Sequence, residues 1–215
     1  MCRYLPQAAA AVLALSVSAA PASVLSVDLG GLTLADGQTW QYDLDADGSP
    51  DLSLHDYFNA LSVPKGGSYD SEIVASGISG TLVTAGAALA GGTPIDAALA
   101  YAATSKLADK SYNGASAKAS YAGAWATDGS VTAGYLGFAF LAADGLHYGW
   151  LDLAVDGDGS VTLNRLAWEG TAGAAIRAGT SASPSPQAEV PLPAAAGLFS
   201  AVLAGLGIVG RRRRA

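Results

Sequence analysis

The chain has 215 residues, 18 of them acidic and 11 basic, and one cysteine. An acidic balance of this size repels nucleic acid and anionic lipid and attracts cations. A single cysteine excludes a disulfide framework and a thiolate metal site.

The first 22 residues read as a secretory signal peptide. Arg3 and the free amine form a short positive region, residues 8–17 an apolar one, and Ala20-Pro21-Ala22 an A-x-A cleavage site. Cleavage is expected after Ala22, and Cys2 leaves with the signal. Without Arg3 and Arg211 to Arg214 the exported part keeps six basic against 18 acidic residues, a net charge near −12.

Residues 23–178 are long enough to bury one sizeable core, so one domain is expected. Strands are predicted at 24–29, 39–44, 51–57, 72–75, 81–85 and 117–125, separated by Gly, Asp and Ser breaks. Thr93-Pro94-Ile95-Asp96 has the form of a helix start, with a cap, a proline at the first position and an acid in the first turn. The spacing thus predicts a helix over 97–109. Later, Leu136, Phe138 and Phe140 alternate with Tyr135, Gly137, Ala139 and Leu141, and 147–155 repeats the period of two. Asp156-Gly157-Asp158-Gly159 reads as a hairpin turn leading to a strand at 160–168. The last three strands form a meander. The fold class is therefore all-β, an antiparallel β-sandwich of jelly-roll-like type.

The best chemical candidate is Asp43-Leu44-Asp45-Ala46-Asp47-Gly48-Ser49-Pro50-Asp51. Carboxylates stand at loop positions 1, 3, 5 and 9 with glycine at 6, and Ser49 at 7 would offer its carbonyl. This layout points several hard oxygens at one cation, and calcium is the expected ion. It departs from an EF-hand at position 12, where Leu54 replaces the bidentate glutamate. The loop more closely resembles the short calcium loops of integrin-type and thrombospondin-type repeats. An acidic solvated turn uses the same residues. Asp156 and Asp158 lack a third and fourth ligand and read as a turn alone.

Catalytic signals are sparse, and no enzymatic activity is expected. His55 and His147 each fall inside a predicted strand, and neither HExxH nor GxSxG occurs. Ser62-Val63-Pro64-Lys65 matches S-x-x-K without its companion motifs. Gly205-Leu206-Gly207-Ile208-Val209-Gly210 spells GxGxxG inside an apolar run with no βαβ unit around it. The rival readings are a carbohydrate-active enzyme, for which Asp152 and Glu169 are the candidate pair, and a glycan-binding module. The second would use Trp125, Tyr148, Trp150 and Trp168 as a platform, although a buried core is the plainer reading of these four.

Residues 179–189 are a Gly/Ser/Pro spacer. Val190-Pro191-Leu192-Pro193-Ala194 then opens an uncharged run ending at Gly210, followed by Arg211, Arg212, Arg213 and Arg214. As a helix, 193–210 would span roughly 27 Å, close to a hydrocarbon core of ~30 Å. The arginines mark its cytoplasmic side.

This tail resembles the sorting tails of bacterial exosortase substrates, the PEP-CTERM class, in its VPLPA form. The resemblance covers residues 190–215 and implies export through the translocon, signal peptidase cleavage and membrane recognition near the pentapeptide. It further implies clipping by an exosortase-like enzyme and delivery from an inner-membrane precursor to the cell surface or medium. Exopolysaccharide is an expected matrix partner. Members share the tail and not the body, so activity is left open. Gly134-Tyr135-Leu136-Gly137-Phe138, His147-Tyr148-Gly149-Trp150 and Leu166-Ala167-Trp168-Glu169 resemble the last strands of many sorting-tail proteins, thought to be β-sandwiches. The sequence is read as a structural or adhesive surface or matrix protein.

Overall fold

The computed structural model describes residues 23–61, 67–125, 130–156 and 159–181. The expected signal peptide, the membrane helix at 193–210, the sorting pentapeptide and Arg211 to Arg214 lie outside these residues, as does most of the spacer. Among the described residues no helix is long and apolar enough to cross a membrane.

The described chain is all-β and antiparallel. In chain order the strands are β1 (Val24–Leu34), β2 (Thr39–Tyr42), β3 (Leu52–Leu61), β4 (Ser68–Gly77), β5 (Leu82–Thr84), β6 (Pro94–Ile95) and β7 (Tyr101–Ala102). They continue as β8 (Thr104–Asn113), β9 (Lys118–Ala122), β10 (Thr132–Ala142), β11 (Gly145–Val155), β12 (Val161–Glu169) and β13 (Ile176–Arg177). One sheet has the order β1-β12-β11-β10-β5-β7 and the other β2-β3-β4-β8-β9, with β6 and β13 forming a separate short ladder.

The alternation read from the sequence decides how the sheets face each other. Leu136, Phe138 and Phe140 of β10, with Leu151, Leu153, Leu163 and Leu166 of the next two strands, point to one side. There they meet Leu52, Leu54, Ile73, Ala75 and Leu107 of the five-stranded sheet in one buried cluster. The result is a sandwich-like pair of sheets around a shared core.

The opposite face of the meander is also covered. Ala139, Tyr148, Trp150 and Ala167 pack with Ile95, Ile176 and Ala178 in a second buried cluster. Strands β10 and β11 are thus apolar on both faces over much of their length, a pattern more usual for central strands of covered sheets.

The predicted helix at 97–109 does not form. Pro94–Ile95 is a strand paired with Ile176–Arg177. The Asp96 carboxylate accepts from the Ala98 amide at 2.8 Å, making a turn instead of a helical first turn. Residues 104–113 are β8, hydrogen-bonded to β4 on one side and β9 on the other. Alanine supplies helix propensity here, but two strand partners and burial of Leu107 and Ala108 outweigh it. Ile73 opposes Ala108 while Val74 opposes Lys106, so Leu107 is the extra residue of a bulge.

Phe138 opposes Gly149 across β10 and β11, and Trp168 opposes the same glycine from β12. A Cβ at position 149 would overlap the Phe138 ring and approach the Ala167 carbonyl oxygen at 2.6 Å. The missing side chain is therefore the seat of the Phe138 ring. Gly149→Ala is expected to destabilise the fold by about 2 kcal/mol through overpacking, lowering Tm by roughly 4–8 °C in thermal unfolding followed by circular dichroism.

Candidate functional site

The loop between β2 and β3 brings Asp43, Asp45 and Asp51 together, each offering a carboxylate oxygen within 4.8 Å of the others. Oxygens on one calcium ion, each 2.3–2.6 Å from it, lie up to about 5 Å apart. Such a spacing could hold one cation, and acidic groups also stand this close without one. Local hydrogen bonds shape the loop. Asp43 Oδ2 accepts from the Gly48 amide at 2.8 Å, and Asp51 Oδ2 accepts from the Leu44 amide at 2.7 Å. Asp43 Oδ1 is buried and has no hydrogen-bond partner. Gly48 has φ +92°, and Ala46 also takes a positive φ of 60°, so the chain turns tightly enough for both ends to face inward.

Asp47 and Ser49 were expected in the same ligand set; of the carboxylates, Asp47 stands apart from the other three. The Asp47 amide donates to Asp45 Oδ1 at 3.1 Å, and Asp47 Oδ1 accepts from the Ser49 amide at 2.7 Å. Asp47 is exposed and outside the triad. Burial pushes the Asp51 carboxyl above its usual range, and the charges of Asp45 and Asp43 add to this against the pull of the Leu44 amide. A divalent cation would reverse the charge contribution.

The loop forms one wall of a cleft of about 430 Å³. Leu44, Asp45 and Asp47 face Ala142, Ala143, Asp144 and His147 of the β10–β11 hairpin across it, with Leu25, Phe140 and Trp168 making it apolar. His147 is buried and stacked on Phe140 with ring centroids 5.3 Å apart. Its Nδ1 lies 2.8 Å from the Glu169 carbonyl oxygen and its Nε2 2.8 Å from Asp144 Oδ1. Both nitrogens meet acceptors, so both donate when the ring is an imidazolium. Burial opposes that charge. The Glu169 carbonyl, the Asp144 carboxylate and the Glu169 charge together outweigh it and raise the pKa. The same hydrogen bond holds Asp144 below the usual carboxylate range.

The other expected site residues are dispersed. Glu169 is buried and not solvent-facing, accepting from the Ser23 amide at 2.9 Å and the Thr171 amide at 3.1 Å. Asp152 opposes Arg165. Glu169 lies four residues further along β12, roughly 13 Å away at ~3.3 Å per residue, too far for a glycosidase pair at roughly 5–9 Å. Trp125, Tyr148 and Trp150 are buried in the two cores and Trp168 is half-buried, so these four make no exposed platform. His55 contacts the Thr39 hydroxyl and the Tyr57 ring. Asp156 accepts from the Ser160 hydroxyl at 2.8 Å, as a turn residue does, and Asp158 lies outside the described residues. Ser62 to Lys65 and the GxGxxG run of the tail lie outside them as well.

Two features escaped sequence reasoning. Phe58, Tyr69 and Tyr112 form a row across β3, β4 and β8, with centroids 5.6 and 5.3 Å apart, and Lys110 stands over Tyr69. Asp56, fully buried on β3 two residues after the buried Leu54, has two carboxylate oxygens without hydrogen-bond partners. Burial, with the Asp36 charge adding, pushes it up to about 6.

Comparison with known protein families, curated proteins and solved structures finds no match to this chain.

Because the folded-state pKa of His147 lies above the unfolded value near 6.5, its contribution to stability is full below that value. It is lost as pH rises through the folded pKa. Thermal unfolding of the wild type and His147→Gln between about pH 5.5 and 9 should show the largest Tm gap at the acid end, closing as pH rises. A gap that widens with pH would show that the ring is held neutral.

Proposed function

We propose that this chain is an exported surface or extracellular-matrix protein of structural or adhesive role, sorted by an exosortase-type system and steadied by calcium. The observation that carries the destination is the tail, in which Val190-Pro191-Leu192-Pro193-Ala194 precedes an uncharged run and Arg211 to Arg214. A plain membrane anchor needs the run and the arginines but not the proline-rich pentapeptide. In this reading the signal peptide is removed after Ala22, the tail is clipped, and residues 23–178 are delivered as the working domain. The finer description of that domain as jelly-roll-like draws support from a chain that passes between the two sheets after β1, β4, β7 and β9. The two meanders, β2-β3-β4 and β10-β11-β12, are more local than a full jelly roll.

Calcium at Asp43, Asp45 and Asp51 is supported by the spacing of their oxygens and by the buried, unpartnered Asp43 Oδ1. Extracellular modules bind calcium with Kd ~10⁻⁴–10⁻³ M. At a Kd of ~0.1 mM, ~1 mM calcium would add about 1.4 kcal/mol. That is enough to matter for a marginally stable domain and too little to be the sole support of its fold.

The sorting reading is tested by the intact mass and cellular location of the native protein. A C-terminus between Val190 and Ala194 in the surface or medium fraction is expected. A chain ending at Ala215 in the inner membrane would overturn it. For the metal, ~1 mM calcium should raise Tm by roughly 3–6 °C. Asp43→Asn or Asp45→Asn should abolish the rise, while Asp47→Asn should keep most of it. A rise that survives in all three variants, or none in the wild type, removes calcium from this loop.

A further inference from the structure

From the cleft between the β2–β3 loop and the β10–β11 hairpin, we infer a docking site for a basic side chain of a partner polypeptide. Lysine and arginine are the two chemistries it fits. The inference deepens the adhesive reading by naming the partner's chemistry, and it rests on that reading for the partner's existence.

The cleft has two kinds of surface. Leu25 is 49% exposed, and with Leu44, Phe140 and Trp168 it makes an apolar floor. The rim carries Asp45 and Asp47 on one side and Asp144 on the other. One oxygen of each is used within the chain: Asp45 Oδ1 by the Asp47 amide, Asp47 Oδ1 by the Ser49 amide, and Asp144 Oδ1 by His147. The second oxygen of each carries no hydrogen bond among the described residues. His147 has both nitrogens committed and offers a ligand no donor.

The rim therefore presents acceptors only. Asp47 and Asp144 lie outside the calcium triad and stay available when an ion holds Asp45, and in the ion-free loop the three carboxylates leave the rim negative whichever charge His147 carries. An anionic ligand is repelled, and a neutral one leaves the charge unanswered. A guanidinium or ammonium brings donors alone, and its methylene stem can lie along Leu25 and Trp168 while the head reaches the rim. A guanidinium can also stack against the indole of Trp168. Charge complementarity thus selects the head group, and the floor selects a head group borne on an apolar stem.

The test is an amide and indole NMR titration of the full 215-residue chain in nonionic detergent. The probe is Nα-acetyl-arginine methylamide, with methyl glucoside and Nα-acetyl-glutamate methylamide in parallel. Arginine is expected to shift the Trp168 indole and the Asp144 and Gly170 amides, with an affinity that falls as salt is raised. The double variant Asp47→Asn with Asp144→Asn keeps each Oδ1 acceptor and removes two charges, so it should fold and bind roughly tenfold more weakly. Leu25→Ser should weaken binding by a smaller factor with the charges intact. Shifts scattered over the acidic surface and unchanged in the double variant would overturn the site. So would tighter binding of methyl glucoside in the same cleft. A chain that ignores arginine yet still gains Tm with calcium loses this docking step alone; the sorting reading is judged separately, by mass and location.

Discussion

The structure depends on β10 and β11 being buried on both faces. On one side Phe138 fills the space above Gly149 and joins the core shared with the five-stranded sheet. On the other, Trp150 and Tyr148 lie beneath the β6–β13 ladder and the segments around it. A strand covered twice cannot slip by one residue without moving large aromatics into sites shaped for small ones. That restriction fixes where the β10–β11 hairpin ends. The hairpin in turn fixes Asp144 and His147 on one wall of the cleft.

How far the sequence foretold this varied with the range of the interactions involved. The period of two from Tyr135 to Leu141 and from His147 to Val155 was legible because it is carried by neighbouring residues. The covering of the outer face was not. Ile95 and Ile176 are far apart in sequence and meet only through a two-residue ladder. Alanines at 97–109 favoured a helix locally, and pairing of β8 with two strands overrode them. At the loop, the spacing of Asp43, Asp45 and Asp51 was enough to nominate them. It could not separate Asp47 from the others, because that depends on where the folded loop places each carboxylate and not on their spacing in the chain. Asp56 went unnoticed, since an acid in alternation with Leu54 and Phe58 looks like any strand residue until its neighbours are known.

Loop and cleft are mechanically one unit. Asp45 belongs to the triad and to the cleft wall, and Leu44, at the root of the same loop, is anchored in the core. An ion that fixed the loop would also fix half of the cleft, so order would pass from the metal position to the docking wall through a single side chain.

The buried Asp56 carboxyl gives the domain an unusual relation to acidity. With a pKa of about 6 in the fold against 3.8 in the free chain, it takes up its proton before an unfolded chain would. Mild acid therefore tightens the interior at Asp56 and strengthens the clasp around His147 at the same time. The Asp43, Asp45 and Asp51 loop responds the opposite way, because protons compete with a cation for its carboxylates. A fall in pH would trade an ion-ordered rim for a firmer core. The interior and the acidic loop of one small sandwich would then respond in opposite directions to the same change in their surroundings.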